Sequence, residues 1–304
     1  MQLGGDWNRE PLTEAQVRKA HEAVDAALAA GINLFDHADI YTMGKSEQVF
    51  GQVMRERPGL RERILLQSKC GIRFKEGPGL PGRYDFSREH VLGSVDGILK
   101  RLGVEHLELL LLHRPDPLME PDEVAAAFHH LKTSGKVRHF GVSNMSAGQM
   151  KLLQASCDQP LVVNQLEMSL EKIGWLDTGV HLNQEAATGS IFPEGTLEHC
   201  RLEHIQIQAW GALAQGLYSG RSLEGQPASV RDTEALVGRL AEEKGTSREA
   251  ILLAWLMTHP ATIQPVIGTT HPGRIAACAA AVNLRLTREE WYSLYVSSRG
   301  RALP

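Results

Sequence analysis

Long apolar runs are missing from this chain. The most apolar stretch, LELLLLH at 107–113, is far short of the roughly 20 residues that a bilayer-spanning helix needs. The start, MQLGGDWNREP, has neither the basic head nor the apolar stretch of a secretory leader. No membrane partner and no export are expected, and the chain reads as cytoplasmic. Cysteine is scarce: Cys70, Cys157, Cys200 and Cys278 form no C-x-x-C pair, which argues against a zinc site or a disulfide framework and for reduced thiols. Basic charge is not in excess either. With 32 Lys and Arg against 36 Asp and Glu, nothing offers the clustered positive charge that nucleic acid or an anionic membrane demands. There is no solenoid-length repeat, and no G-x-G-x-x-G follows an early strand, which weighs against a doubly wound dinucleotide fold.

What is present is the composition of a globular enzyme, with 42% hydrophobic and 22% charged residues over 304 positions. Gly and Pro are scattered rather than gathered in a linker, so residues 1–304 read as one domain, a size closed α/β barrels commonly reach. Four helices follow from caps and period. Thr13 with Gln16 forms a capping box, and Val17, Ala20, Val24, Ala27 and Leu28 share a face that ends at Gly31. Ser87 caps a second helix, with Val91, Val95, Ile98, Leu99 and Leu102 inward before Gly103. Val124, Ala127, Phe128 and Leu131 mark a third, ending near Gly135; Thr246 and Glu249 box a fourth, carrying Ala250, Leu253, Ala254 and Met257. Between the helical patterns lie strands predicted at 32–38, 64–69, 107–113, 137–143, 161–167, 205–211 and 262–268, and MQLGG at the start supplies a candidate eighth. Several are apolar on both alternating sets, as strands covered on both faces are.

Polar or special residues interrupt these runs in one recurring place. Asp36, Lys69, His113, Asn144, Gln165, Trp210 and Gly268 each fall at or near the C-terminal end of a different strand. In an α/β barrel those ends converge on the mouth that carries the active site. Alternation turns His37 away from Asp36, and Asp39 reads as a loop residue that forms a turn. With one His and one Asp separated by a Lys in chain order, the set does not make a metal centre.

The segment GINLFDHADIY resembles the aldo-keto reductase stretch in which an aspartate stands five residues before the catalytic tyrosine. QSKCG, LLLLHRPD, FGVSN and NQLE look like that family's successive strand-end motifs, in its order. The resemblance spans roughly residues 3 to 295 and implies a (β/α)8 TIM barrel, an NADPH cofactor, reduction of an aldehyde or ketone, and Asp36, Tyr41, Lys69 and His113 as the catalytic four. The chemistry suits those types. Hydride delivery leaves negative charge on the carbonyl oxygen, which a phenol can stabilise and protonate. A neighbouring ammonium, Lys69, makes Tyr41 the stronger acid, Asp36 keeps Lys69 charged and aimed, and a neutral His113 orients the carbonyl.

By the same resemblance Ser143, Asn144 and Gln165 hold the nicotinamide carboxamide and Trp210, where the family usually has tyrosine, stacks on the ring. Gly211, Leu213 and Gly216 follow the pyrophosphate, with Gly5 and Asp6 of the GxW-like segment also at the cofactor. Gly268, Thr269, Thr270 and Arg274, at a helix starting near Pro272, hold the 2′-phosphate. A lysine often found at position 268 and an asparagine common at 278 are absent. Loops 71–86 and 168–193 with Trp7, Phe74 and Trp175 form the expected substrate wall. The resemblance implies a hairpin that closes the barrel floor ahead of this start; none is expected in this sequence, which leaves either a truncated start or a floor covered otherwise. A monomer is expected, acting on a small carbonyl compound. A barrel of this type that binds NADPH as a sensor with little turnover is the other reading.

Overall fold

The Thr13 capping box is present in the computed structural model: the hydroxyl accepts from the Gln16 N–H, and the Gln16 amide oxygen from the Thr13 N–H. It opens α1 (Glu14–Ala29), whose buried face is Ala20, Ala23, Val24 and Ala27. The structure describes residues 2–75, 77, 79–185, 189 and 191–304. Its contacts gather into two compact units, one of Met1–Asn164 with Thr270–Pro272 and one of Gln165–Thr269 with Gly273–Pro304.

In the first unit α1 leads to β1 (Leu34–Asp36), a short 3₁₀ turn at Tyr41–Gly44, α2 (Lys45–Arg55) and β2 (Leu65–Cys70). A two-stranded antiparallel pair follows, β3 (Ile72–Arg73) and β4 (Arg83–Tyr84), within the segment expected to be a plain loop. Then come α3 (Arg88–Leu102), β5 (Leu107–Leu112), α4 (Pro121–Thr133), β6 (Val137–Ser143) and α5 (Ala147–Gln154). β1, β2, β5 and β6 pair in parallel in that order. Ser87 caps α3, accepting from the His90 N–H, and the predicted inward residues Val91, Val95, Ile98, Leu99 and Leu102 are all buried. Gly103 ends that helix at φ +70, returning its N–H to Leu99 O, the left-handed stop that glycine makes without strain. Phe128 of α4 stacks on Phe140 of β6 with ring centres 4.1 Å apart.

The second unit contains most of α10 and begins inside β7 (Leu161–Glu167), followed by α6 (Gly174–Val180), α7 (Thr196–Leu202), β8 (Gln206–Trp210), α8 (Ala228–Glu243), α9 (Arg248–Thr258), β9 (Gln264–Pro265), α10 (Pro272–Ala279) and α11 (Arg288–Arg299). β9 pairs in parallel with β8.

Four expectations need correction. No strand forms at residues 2–5; Gly5 N–H turns back to Gln2 O at 3.2 Å, and Met1 lies outside the described residues. The strand read at 262–268 shrinks to two residues, because Thr262 is left-handed at φ +50 and Pro265 has no N–H to give a ladder. The cap of α9 is Ser247, accepting from the Ala250 N–H, and not Thr246. Within the loop expected at 168–193 stands α6. The two expected loops also contain residues 76, 78, 186–188 and 190, which lie outside the described residues.

Candidate active site

Register decides which side chains meet. Across β1 and β2 Asp36 stands opposite Gln67, and across β2 and β5 Cys70 stands opposite Leu112. The ladder runs past the strand ends, with His37 N–H to Gln67 O at 2.8 Å, Asp39 N–H to Lys69 O at 3.0 Å and His113 N–H to Cys70 O at 2.9 Å. Side chains alternate along a strand, so Gln67 and Lys69 point to the same face. Both reach Asp36: Lys69 Nζ lies 2.6 and 2.7 Å from its two carboxylate oxygens, and Gln67 Nε2 donates to Oδ1 at 2.5 Å. Lys69 Nζ also lies 2.8 Å from His37 O, to which it donates. His37 turns the other way, onto Phe50, with ring centres 4.6 Å apart.

Tyr41 follows in the 3₁₀ turn. Its ring centre is 5.0 Å from Lys69 Nζ, its hydroxyl hydrogen-bonds Lys69, and the His113 ring meets it edge-on at 5.7 Å. The structure thus brings Asp36, Tyr41, Lys69 and His113 together. His113 is braced by Asn144, a left-handed residue at φ +60, whose Nδ2 donates to His113 O at 3.4 Å and to Ser143 Oγ at 2.7 Å. Its own Nδ1 is buried and has no hydrogen-bond partner among the described residues. That is not how a histidine kept only for the core is left.

Burial sets the titration of this cluster. It would push Asp36 up, but the Lys69 charge and the bonds from Lys69 and Gln67 outweigh it and hold the carboxyl below its usual range. Burial would lower Lys69; Asp36 and Tyr41 hold it above the ordinary lysine value. The pair is therefore a carboxylate and an ammonium. His113 is pushed down to about 3 by burial and by Lys69, so its imidazole is neutral, as expected. Tyr41 departs from expectation. Burial raises it, and Lys69 pulls it back only part of the way.

Two buried carboxyls behind these residues escaped the sequence reading. Glu47 of α2 is fully buried; its Oε1 accepts from Ser68 Oγ and its Oε2 from Arg101 Nε, both at 2.7 Å. A signal was available, since Glu47, Phe50, Gly51 and Met54 fall at i, i+3, i+4 and i+7, the spacing of a helix's inner face. Asp39 stands in a turn, as read, and is half-buried, with its Oδ1 buried and without a hydrogen-bond partner among the described residues. Burial and the Glu47 charge push its carboxyl up to about 7 against the pull of Arg101.

The remaining predicted positions fall as follows. In the first unit Trp7 and Phe74 are both exposed and meet edge-to-face with ring centres 6.3 Å apart. Gly5 is left-handed, Asp6 is exposed, and Ser143 and Thr270 are buried. In the second unit Gln165 donates to Gln208 Oε1 at 3.0 Å, and Gln208 to Gln264 Oε1 at 3.0 Å. Trp210 ends β8, and the backbone beyond it is left-handed at Gly211, Ala214, Gln215 and Gly216, with Leu213 between. Gly268 and Thr269 precede α10, and Arg274 stands exposed in its first turn. Trp175 is a correction: at 3% exposure, its ring packs on Trp255 and His259, with centres 5.7 and 5.1 Å away. It belongs to the core of the second unit rather than to a pocket wall.

With a parallel α/β chain and a Lys–Asp–Tyr–His cluster at the strand ends, the class of protein is defined. The profile of the Aldo/keto reductase family matches residues 1–295. The chain belongs to that family and is an oxidoreductase of the (β/α)8-barrel class. A 6-dehydroglucose reductase of Agrobacterium fabrum is 35% identical over 294 residues, covering 95% of this chain and 91% of the relative. The structure is similar to that of the glycerol dehydrogenase AKR11B4 of Gluconobacter oxydans, with a TM-score of 0.78, 23% identity, and coverage of 99% of this chain and 90% of the other. It is also similar to an aldo/keto reductase of Klebsiella pneumoniae solved with NADP and acetate, with a TM-score of 0.71, 24% identity, and coverage of 93% and 86%.

Proposed function

We propose that this protein reduces an aldehyde or ketone with NADPH, and that Tyr41 donates the proton. The observation that carries the reading is the buried Lys69 ammonium, which holds the Asp36 carboxylate and hydrogen-bonds the Tyr41 hydroxyl, beside a neutral His113. NADPH supplies the hydride when bound.

Each chain residue then has a task. Tyr41, kept protonated by burial, gives its proton to the carbonyl oxygen as negative charge develops there. Lys69 stabilises the phenolate this leaves, and Asp36 keeps Lys69 charged and fixed. His113, its imidazole kept neutral by burial and by Lys69, orients the carbonyl. Trp7 and Phe74 give the site an apolar edge.

What supports NADPH is family membership together with residues that suit it. Ser143, Asn144, Gln165 and Trp210 offer amide-binding groups and an aromatic face. The segment from Gly211 past Leu213 to Gly216, left-handed at Gly211, Ala214, Gln215 and Gly216, suits a passing pyrophosphate, and Gly5 and Asp6 are carried over from the family's pattern as further cofactor positions. Gly268, Thr269, Thr270 and the exposed Arg274 suit a 2′-phosphate beside a helix start. The Agrobacterium relative's name puts polyhydroxylated aldehydes first in the substrate panel.

The test is Tyr41→Phe, which keeps the ring and removes the hydroxyl. Single-turnover hydride transfer should fall by roughly 10²–10⁴-fold, the usual loss of a general acid, with NADPH affinity nearly unchanged. A rate within about tenfold of the parent would move the proton donor elsewhere, to His113 first. Tight NADPH binding by the parent with no oxidation by any aldehyde would mark a sensor instead.

A further inference from the structure

The turn that carries Tyr41 is costly for its sequence. Thr42, Met43 and Gly44 follow one another in the left-handed region, at φ +48, +60 and +86. Gly44 adopts this freely, but a β-branched threonine and a methionine do not, and such a run persists only where its surroundings over-determine it. On one side it borders a cavity of about 270 Å³ lined in part by Arg9, Ile40, Met43 and Phe74, so Met43 has room to relax.

The other side is held by residues 4–8. Thr42 is fully buried; its hydroxyl donates to Tyr41 O at 2.7 Å and pairs with Ser46 Oγ at 2.9 Å. Against that hydroxyl lies Gly4. A Cβ there would come to 2.3 Å from Thr42 Oγ1, 2.6 Å from Ser46 N and 2.7 Å from Lys45 C, so the segment lies flatter on the turn than any side chain would allow. Four residues on, Asn8 Oδ1 accepts from the nearly buried Lys45 Nζ at 2.6 Å, and the Glu10 N–H donates to that same oxygen at 3.2 Å. No other hydrogen-bond or ion-pair partner of Lys45 is found among the described residues. Breaking the contact leaves a buried cation without an acceptor.

We propose that Gly4 and the Asn8–Lys45 pair form a clamp that positions Tyr41. The clamp presses the left-handed turn closed, and the turn fixes the Tyr41 backbone, through the Thr42 hydroxyl on its carbonyl, so that the phenol meets Lys69 and His113. Trp7 rides on the same segment with its ring against Phe74, so one stretch of chain sets both the proton donor and the apolar edge of the site. These are positioning residues. Their kinetic effect rests on the proton-donor reading, but their structural effect does not.

The experiment separates the two. The chain has five tyrosines, and 3-fluorotyrosine labelling gives each a fluorine resonance, that of Tyr41 being the one lost in Tyr41→Phe. Asn8→Ala should shift or broaden the Tyr41 resonance and lower kcat by roughly 10- to 100-fold, the scale of a misplaced catalytic group. Asn8→Asp, which keeps the acceptor oxygen, should retain both. Lys45→Met, which keeps the stem and removes the donor, should repeat the Asn8→Ala result and serves if that variant folds poorly. A Tyr41 resonance unmoved in Asn8→Ala or Lys45→Met overturns the clamp, whatever the rate. A moved resonance, with kcat lowered in Asn8→Ala and restored in Asn8→Asp, supports it. If Tyr41→Phe itself keeps its rate, the proton-donor reading fails and the resonance alone still decides the clamp.

Discussion

Lys69 grips both oxygens of Asp36, at 2.6 and 2.7 Å, with its side chain 1% exposed. Such a pair is weak evidence for stability as it stands, yet removing one member leaves the other charge buried and uncompensated.

Lys69→Met should therefore abolish most activity and destabilise the fold by about 3–5 kcal/mol, the usual result of breaking a buried ion pair. Adding Asp36→Asn removes the orphaned charge, so the double variant should recover much of the stability and none of the activity. Urea unfolding and single-turnover kinetics on the two variants check this; a double variant no more stable than Lys69→Met would contradict it.

Asp39 carries a pH signature of the opposite sign from the usual carboxylate. Its folded value of about 7 lies above its ordinary 3.8, so the folded chain holds this proton more tightly than the unfolded one. The stability it contributes is complete below pH 4 and is lost as pH rises to about 7. Asp39→Asn cannot ionise. Its stability relative to the parent should climb across that window and level off above it. Denaturation midpoints at pH 4.5, 6 and 8 read the trend directly, and a constant difference would mean that Asp39 titrates normally.

Arg274→Ala should weaken NADPH binding far more than NADH binding, because only NADPH carries the 2′-phosphate a guanidinium can fork onto. Fluorescence titrations with the two cofactors provide the comparison. Equal losses would remove Arg274 from the phosphate site.

The elements that were legible were those whose local signals agree. β6 and β7 are found at 137–143 and 161–167 as read, because each carries β-branched, leucine or phenylalanine residues on both alternating sets and ends on a polar residue. Asp36, Lys69 and His113 could be located because an ionisable side chain at the end of an apolar strand is conspicuous. Tertiary facts were harder to see. Nothing local in TIQPVIG reveals that Thr262 turns left-handed, and an aromatic in a long loop looks the same whether it lines a pocket or, like Trp175, packs on Trp255. Glu47, and the burial of the Asp39 carboxyl within its turn, were missed because such burial depends on distant partners: for Glu47 these are Ser68 and Arg101, 21 and 54 positions away in the chain. The Asn8–Lys45 pair bridges 37 positions and leaves no periodic trace.

The indole packing in the second unit has an optical consequence. Trp255 and Trp291 stack at 5.4 Å with planes 14° apart, each N–H donating to the other's backbone carbonyl, and Trp175 stands edge-on to Trp255. Transition dipoles held this close couple, so the intense far-ultraviolet indole bands of the folded chain should show a circular dichroism couplet that vanishes when that unit melts. Trp7, half-exposed in the other unit, should emit at longer wavelength. The two signals let the melting of each unit be followed separately, without a label.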